Sequence, residues 1–261
     1  MSSSKSEVTG TQSIQRAIEI LRVLAANNFS DGVRFADLEN ITSLSKGTLY
    51  RILSVLKQAG LVEQHPGTRL YCLGMDFLSL GSLSTNRFNM RESARSCLTR
   101  LAAKTQDTVF LQLPTGTDVV CVDRIDGEFP IKAHSLNIGG RRPLGMGASS
   151  IALLSLMKDS EICAILERNA RRFRNYKLFD TKTVIEKVRL ARKEGYAYDN
   201  GTVVRQIHAI SMPFGGTGGV PVATITVAAI PERFTPVRRR EIVDALKKEI
   251  GKLLNALVSF N

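Results

Sequence analysis

Apolar residues recur at helical spacing in the first sixty residues of the chain, interrupted by turn-forming residues. This pattern predicts three helices. The first follows a Ser13 N-cap, and its apolar stripe comprises Ile14, Ala17, Ile18, Leu21, Leu24 and Ala25. A polar break at 27–32 precedes a short second helix with apolar positions at Phe35, Ala36, Leu38 and Ile41. The third helix is expected to begin after Ser45 and to end at Gly60, a residue type that commonly terminates helices.

The third predicted helix has one apolar face and one polar face. Its apolar positions are Leu49, Ile52, Leu53 and Leu56. A short helix, a tight turn and a helix with a polar, cationic start are typical of a helix-turn-helix, whose second helix enters the DNA major groove. Arg and Lys can reach guanine acceptors there, and hydroxyl groups can reach bases or phosphates. The residues expected to contact DNA from this helix are Ser45, Lys46, Thr48, Tyr50 and Arg51.

A β-hairpin is predicted directly after the third helix. Residues 61–64 form its first strand, residues 65–68 its turn, and residues 69–73 the returning strand. Such a hairpin beside a recognition helix makes a winged helix, in which Arg69 would contact a phosphate. The alternative is a three-helix bundle with an incidental hairpin.

The rest of the chain alternates helical segments with strands joined by turns, as in an α+β domain with one antiparallel sheet flanked by helices. The predicted strands are 108–113, 119–125, 130–136, 206–214 and 220–229. The predicted helices are 91–105, 149–157, 159–169 and 181–194, and a glycine-rich loop at 139–150 leads into the second of these. Thr235 and Pro236 are expected to open a last long helix, with a packing seam of Val243, Leu246, Ile250, Leu253 and Leu257.

The charge of the chain suggests a polyanionic partner but does not locate its site. The 261 residues carry a formal net charge of +12, which is typical of nucleic-acid binding. Residues 1–86 hold 8 Lys/Arg and 7 Asp/Glu, however, whereas residues 87–261 hold 28 and 17. The basic clusters at 171–174 and 238–240 are expected to lie on solvated surface. Arg141 and Arg142 form either another solvated pair or a counter-charge for an acidic ligand.

Several classes of protein are disfavoured by what the sequence lacks. The four cysteines form no CxxC pair, and the three histidines are widely spread, so we expect neither a metal site nor a catalytic triad. The glycine-rich stretches match no phosphate-binding motif, and no GxSxG is present. No secretory signal or transmembrane stretch is found. We therefore expect a soluble, cytoplasmic protein that is not an enzyme, has no cofactor and has no membrane partner.

Two segments of the N-terminal region, SIQRAIEILRVLAA and LSKGTLYRILSVLKQAGLVEQHPGTRLYCLG, resemble the DNA-binding domain of the isocitrate-lyase-regulator (IclR) family of bacterial transcription factors. The later segments GYAYDNG and ISMPFGGTGGVPVATITVAA are similar to the GAF-like effector domain of that family. The resemblance extends from about residue 12 to residue 257. It implies a winged helix-turn-helix at 12–74, a linker helix at 75–90 that helps the molecule dimerise, and an effector-binding domain at 91–261.

The resemblance also implies an effector site made from four segments. Carried over by position, its residues are Ile131, His134, Leu144, Ala148, Ser149, Asp199, Ala209, Ser211 and Thr226. Amide groups at a helix N-terminus can bind a carboxylate or carbonyl oxygen, and apolar walls exclude water. Ala209 and Ala228 stand where relatives use more polar side chains, which suggests a less polar effector. Ordinary structural roles stay open for His134 and for Thr226.

These observations predict a transcriptional regulator. It would bind a double-stranded DNA operator, with repression favoured, and respond to a small organic effector such as a carboxylate or carbonyl compound. A homodimer or tetramer is expected, since one winged helix buries too little surface to bind an operator tightly. The alternative is a small-molecule-binding or enzymatic domain that uses its winged helix for protein contacts.

Overall fold

The computed structural model describes residues 11–25, 31–85, 90–174, 180–216 and 222–259. The chain divides into two compact units, residues 1–87 and residues 88–261. The first unit is helical with a small hairpin, and the second is built on one antiparallel sheet. The predicted α+β class, with an N-terminal winged helix-turn-helix, is confirmed.

The N-terminal unit contains four helices and two strands among its described residues. They are α1 (Gln12–Leu24), α2 (Phe35–Thr42), α3 (Lys46–Gln58), β1 (Val62–Gln64), β2 (Tyr71–Leu73) and α4 (Asp76–Thr85). The core is apolar and joins all three helices of the helix-turn-helix to the wing; it includes Ile20, Leu38, Leu49, Leu53, Val62 and Tyr71. Val33 extends the wing by pairing with Tyr71. The apolar face predicted for α3 is therefore confirmed.

Three details of this unit differ from the sequence-based predictions. Helix α1 begins at Gln12 after Thr11, so Ser13 is not its N-cap. The predicted stripe is buried only in part: Leu24 is buried and Ala17 and Leu21 pack against the core, together with Ile20, which was not predicted. Ile14 is 60% exposed and Ile18 is 42% exposed. The returning strand of the wing is also shorter than predicted and starts only at Tyr71. Residues 27–30 of the predicted break lie outside the described residues.

The wing is tied to the start of helix α4 by very close backbone packing. Gly60 has a φ of +68° and ends α3 as predicted. The N–H of Gly74 donates to the carbonyl of Leu61 at 2.9 Å, and a Cβ at Gly74 would lie 2.0 Å from the Gly60 oxygen. Glu63 on β1 accepts a hydrogen bond from the N–H of Met75 at 3.0 Å. The end of the recognition helix, the wing and the start of α4 therefore form one rigid joint.

The described part of the second unit contains five helices and six strands. They are α5 (Met90–Thr105), β3 (Thr108–Thr115), β4 (Asp118–Ile125), β5 (Arg141–Pro143), α6 (Gly147–Leu154), α7 (Asp159–Phe173), α8 (Thr181–Glu194), β6 (Ala197–Asp199), β7 (His208–Phe214), β8 (Ala223–Ala229) and α9 (Pro236–Ser259). The strand order is β5-β4-β3-β8-β7-β6, with every pair antiparallel. Helices α5 and α9 bury one face of the sheet through an extensive apolar core.

The other face of the sheet holds the smaller and more polar side chains. Side chains alternate along a strand, so Phe110, Gln112 and Thr226 face away from the α5–α9 core, while Val109, Leu111 and Val227 lie within it. Helix α6 contacts β6, β7 and β8, and helices α6, α7 and α8 share a second apolar core. Between α6 and the sheet lies the space from which a binding site can be built.

Most predicted elements of this unit are present, but two are corrected. Residues 130–136 form no strand; they belong to an irregular segment that joins β4 to β5. The glycine-rich loop contains strand β5, and α6 begins at Gly147, two residues earlier than predicted. Alternation over a few residues cannot distinguish a strand from such a loop. The seam of α9 is confirmed, with Val243, Leu246, Ile250 and Leu253 buried. Residues 217–221 of the predicted glycine turn and strand lie outside the described part, as do residues 86–89 of the predicted linker.

Candidate DNA-binding surface and effector cavity

The polar face of helix α3 is open to solvent. Ser45, Lys46 and Arg51 are exposed, and Tyr50 is 64% exposed although it is aromatic. Ser45 precedes the helix as predicted, but its hydroxyl donates to Thr48 Oγ1 at 3.0 Å and accepts no capping hydrogen bond from a backbone N–H. No atom lies within 4 Å of a Cβ placed at Gly47, so the start of the helix is unobstructed. This surface can approach a nucleic acid closely.

A groove runs along one side of α3, between that helix and α1. Thr48 and Arg51 line it together with Ser13, Ile14 and Arg16. Arg51 Nε donates to the carbonyl of Gly47 at 3.3 Å, and this contact leaves its terminal nitrogens available. Arg16 was not among the residues expected to contact DNA, because it lies on a different helix and no spacing rule links it to Arg51. The structure places it beside the recognition helix, where a cation can contact a phosphate.

The wing presents a third cation. Arg69 is exposed and has a φ of +60°, so it lies in the turn of the wing and not in its returning strand. The turn is held by His65, whose Nδ1 accepts hydrogen bonds from the N–H groups of Gly67 and Thr68, both at 3.2 Å. Gln64 donates to the Arg69 carbonyl at 3.1 Å. These contacts fix the backbone of the turn while leaving the Arg69 side chain in solvent.

A small cavity of about 20 Å³ lies between helix α6 and the sheet of the second unit. Its walls are mainly apolar and include Phe110, Val203, Val204, Ile207 and Ala228. Its polar lining comes from Gln112, Ser135, Arg142, Ser149, Asp199 and Thr226. Apolar walls with a few converging polar groups are the usual lining of a small-molecule site.

The expected effector residues fall into two groups. Ala148, Ser149, Asp199, Ala209 and Thr226 all line the cavity. Ile131, His134, Leu144 and Ser211 do not. Ile131 is 54% exposed, and His134 Nε2 lies within hydrogen-bond distance of Asp126 Oδ2, at 2.9 Å. Both lie in the segment that was wrongly predicted as a strand. Leu144 is buried in the core beneath α6, and Ser211 lies behind Thr226.

The first turn of α6 offers hydrogen-bond donors to the cavity. Gly147, Ala148 and Ser149 are the first three residues of this helix and line the cavity. Their amide groups precede the first intrahelical bond, and no described backbone carbonyl outside the helix accepts from them. The Ser150 hydroxyl is used internally, since it accepts from Gly145 N and donates to the Pro143 carbonyl. A helix start of this kind attracts an anionic or carbonyl oxygen.

Two charged side chains reach the cavity from opposite directions. Arg142 donates to the Ser135 carbonyl at 2.7 Å, so its charge also holds the segment that precedes β5. Asp199 is 6% exposed, and its Oδ1 accepts from Thr202 N at 3.3 Å and lies 3.7 Å from Lys187 Nζ. Sequence reasoning selected Asp199 but left the role of Arg142 open. The cavity therefore holds both a cation and a partly neutralised carboxylate.

Metal binding and thiol reactivity can be assessed for particular residues of the described part. Among those residues, no group of three or more His, Cys, Asp or Glu side chains could hold a metal ion. Burial raises the pKa of the Cys97 thiol to about 12 and that of the Cys121 thiol to about 11, which leaves both protonated and unreactive at neutral pH. The described helices also include none with the length and apolar character of a membrane span.

The chain matches two family models. The model described as "Bacterial transcriptional regulator IclR C-terminal" matches residues 83–253, and the one described as "IclR helix-turn-helix domain" matches residues 13–66. Together they cover both units.

Characterised relatives and a solved structure agree with these matches. The HTH-type transcriptional regulator XynR of Escherichia coli is 26% identical over 223 residues, which cover 85% of this chain and 87% of XynR. The HTH-type transcriptional repressor AllR of Salmonella typhimurium is 25% identical over 249 residues, covering 94% and 90%. An IclR homolog from Microbacterium hydrocarbonoxydans, solved in complex with 4-hydroxybenzoate, has a TM-score of 0.75 at 15% identity and covers 93% of this chain and 97% of its own. This chain belongs to the IclR family of bacterial DNA-binding transcriptional regulators.

Proposed function

We propose that this regulator is a cytoplasmic repressor that binds an operator through α3 and the wing and responds to a small organic effector in the cavity of the second unit. The observation that carries the proposal is the pairing of two sites in one chain. One is an exposed polar helix face, and the other is a largely apolar cavity with converging donors. The relative AllR is named as a repressor, which favours repression here as well.

The proposed contacts to DNA divide by chemistry. Lys46, Tyr50 and Arg51 lie where a recognition helix meets base edges, while Ser45 and Thr48 at the helix start are suited to base or phosphate contacts. Arg69 in the wing and Arg16 beside the groove would bind phosphates. A homodimer or tetramer would place two such surfaces on half-sites one helical turn or a multiple apart.

The proposed division of the chain follows from these roles. Residues 12–74 form the DNA-binding domain, residues 75–90 the linker, and residues 91–261 the effector-binding domain. Helix α4 (Asp76–Thr85) and the separation of the two units support this division. Effector binding would shift the population between different arrangements of the DNA-binding domains. The size of that shift is limited by the difference in the effector's affinity for the two arrangements.

The effector itself is best described by its chemistry. Donors at the start of α6 and the Arg142 guanidinium favour a carboxylate or carbonyl oxygen at one end. Ala209 and Ala228, which face each other across β7 and β8 and both line the cavity, favour an apolar body. Asp199 can accept a hydrogen bond from a hydroxyl group. A related structure was solved with 4-hydroxybenzoate, a compound that combines these features.

A DNA-binding titration tests the proposal. Fluorescence anisotropy would compare the full chain on DNA from its own upstream intergenic region with a scrambled control. We expect a preference of about 10³ or more for the native fragment at physiological salt, with affinity falling by about 0.9 log units per phosphate contact per log unit of salt. Equal, weak binding to both fragments would contradict operator recognition. Addition of an effector to the specific complex should then release the DNA.

A further inference from the structure

One polar residue of the cavity, Gln112, has no role yet. It lies on β3 among apolar neighbours and is only 3% exposed. The pairing of β3 with β4 shifts register between Leu111 and Gln112. Such bulges often lie beside binding sites, where they redirect a side chain. A buried glutamine at a bulge in a central strand therefore requires a physical explanation.

The oxygen of the Gln112 amide is fixed by two neighbouring strands. Thr226 on β8 donates its hydroxyl to Gln112 Oε1 at 2.7 Å. The Thr226 hydroxyl is also 2.8 Å from Ser211 Oγ on β7. All three side chains are buried, so their hydrogen bonds are not exchanged for water. This chain of contacts sets the orientation of the amide and leaves its Nε2 on the opposite side.

The Nε2 group of Gln112 is open to the cavity. No described residue accepts a hydrogen bond from it, and Gln112 lines the cavity. In the described part of the chain, only two buried side-chain nitrogen or oxygen atoms lack both solvent contact and a hydrogen-bond partner. They are the Nε atoms of Arg238 and Arg239. The Nε2 is not one of them, so a ligand in the cavity can reach it. The same reasoning applies to the Ser149 hydroxyl, whose residue is 3% exposed and also lines the cavity.

We propose that Gln112 is the specificity-determining residue of the effector site, donating from Nε2 to a carboxylate or carbonyl oxygen of the effector. Thr226 and Ser211 position the amide, and Ser149 supplies a second donor. A ligand that offers no acceptor binds poorly to such a site, because the buried donors then lose their contact with water without gaining a hydrogen bond. A hydrogen bond to a charged carboxylate oxygen is stronger than one to a neutral hydroxyl oxygen, so the cavity would select carboxylates over the corresponding alcohols. This inference rests on the proposed function, since it needs the cavity to bind an effector.

Calorimetric titration of the full chain tests the assignment with defined probes. The probes are 4-hydroxybenzoate, benzoate and 3-hydroxybutyrate, with 4-hydroxybenzyl alcohol as the ligand that lacks the carboxylate. Gln112→Met keeps the length of the side chain but removes the donors, and Gln112→Glu replaces the donors by a negatively charged acceptor. We expect roughly tenfold to hundredfold weaker carboxylate binding in the Met variant, and a larger loss in the Glu variant.

A matched control separates recognition from folding. Thr224→Val alters another buried threonine of β8. The Thr224 hydroxyl donates to the backbone carbonyl of Gln112 at 3.4 Å, but Thr224 does not line the cavity. The substitution should leave probe affinity and the melting temperature of the second unit close to those of the wild type. Equal losses in Thr224→Val and Gln112→Met would overturn the assignment, because the effect would then be structural.

The remaining outcomes are also decisive. Wild-type affinity in both Gln112 variants would refute the role of Gln112 and leave the proposed function intact. Tight binding by Gln112→Glu together with weak binding by Gln112→Met would show that the amide oxygen faces the ligand, which contradicts a donor role. If none of the carboxylates binds the wild-type chain, the proposed effector class is wrong and the assignment fails with it.

Discussion

The two units of this regulator arrange their polar side chains in opposite ways. In the N-terminal unit, most candidate DNA-contacting side chains stand in solvent, and the hydrogen bonds around them are short-range contacts within the helix start or the wing turn. In the second unit, the cavity side chains are buried and held by one another, as in the chain from Ser211 through Thr226 to Gln112. DNA binding can order exposed side chains as it forms, whereas a small effector offers few contacts and needs donors that are already in place.

Basic residues show the same contrast. The second unit carries most of the excess positive charge, but several of its arginines neutralise buried carboxylates. Arg233 and Arg238 both bind Asp107, whose side chain is fully buried, at 2.5 and 3.0 Å. Arg172 binds Asp118 at 2.5 Å. The expectation that the 171–174 and 238–240 clusters lie on solvated surface is therefore wrong for Arg238, whereas Arg172 is exposed as expected. Clusters of basic residues therefore do not by themselves mark the DNA site here, because some of their members have an internal structural role.

The largest expected effect comes from the joint in the N-terminal unit. In Gly74→Ala, the new Cβ would overlap the Gly60 carbonyl oxygen, so the backbone must shift, at a cost of about 3 kcal/mol or more. Thermal unfolding should show the N-terminal transition lowered, and DNA binding should be lost with it. Gly81→Ala in α4, where a Cβ meets nothing within 4 Å, is the control and should be neutral or slightly stabilising. An unchanged Gly74→Ala variant would mean that the joint is not rigid.

Next in size is the loss of a buried carboxylate in the second unit. Asp107→Asn removes the charge shared by Arg233 and Arg238. Breaking a buried ion pair on one side typically costs about 3–5 kcal/mol. Chemical denaturation should show that loss in the transition of the second unit, while the N-terminal transition stays unchanged. Similar stability of variant and wild type would indicate that these arginines are solvated after all.

A smaller and more local effect is expected for Arg51→Ala. Loss of a bidentate contact to guanine costs about 1–3 kcal/mol of discrimination, so the preference for the operator over scrambled DNA should fall while folding and effector binding persist. Lys57→Ala is a matched control on the same helix, because Lys57 already donates to Gln64 at 3.3 Å. Anisotropy titrations of both variants would measure the difference. If Arg51→Ala kept full operator preference, the recognition-helix assignment would be wrong.

The smallest effect is expected at the start of α8. Asp180 accepts hydrogen bonds from the N–H and the hydroxyl of Thr183 at 3.0 and 2.9 Å, and these bonds lower its pKa. A lowered folded-state pKa contributes stability above the unfolded-state value, and that stability is lost as pH falls through the folded-state value. Asp180→Ala should therefore lower the melting temperature slightly at neutral pH and not at strongly acidic pH. An equal difference at both pH values would show that the charge is irrelevant.

Family membership confirms that the chain regulates transcription and is not an enzyme, as its motifs indicated. The helix-turn-helix could be predicted because helical periodicity and turn chemistry are local properties. The error at 130–136 has the same origin, since local alternation says nothing about which neighbour a strand would pair with. Gln112 could have been noticed as a single polar residue in an apolar strand, but the bulge that redirects it depends on its pairing with β4.

The sequence by itself determined the class of fold, the order of its elements and the face of α3 that is polar, because these follow from periodicity, capping and turn residues along a continuous stretch of chain. Only the tertiary structure decided which apolar positions of α1 are buried, which arginines pair with buried carboxylates, and which residues meet at the cavity. Those outcomes depend on contacts between segments far apart in sequence. Arg238 and Asp107, for example, are 131 positions apart, a separation across which no local pattern carries information.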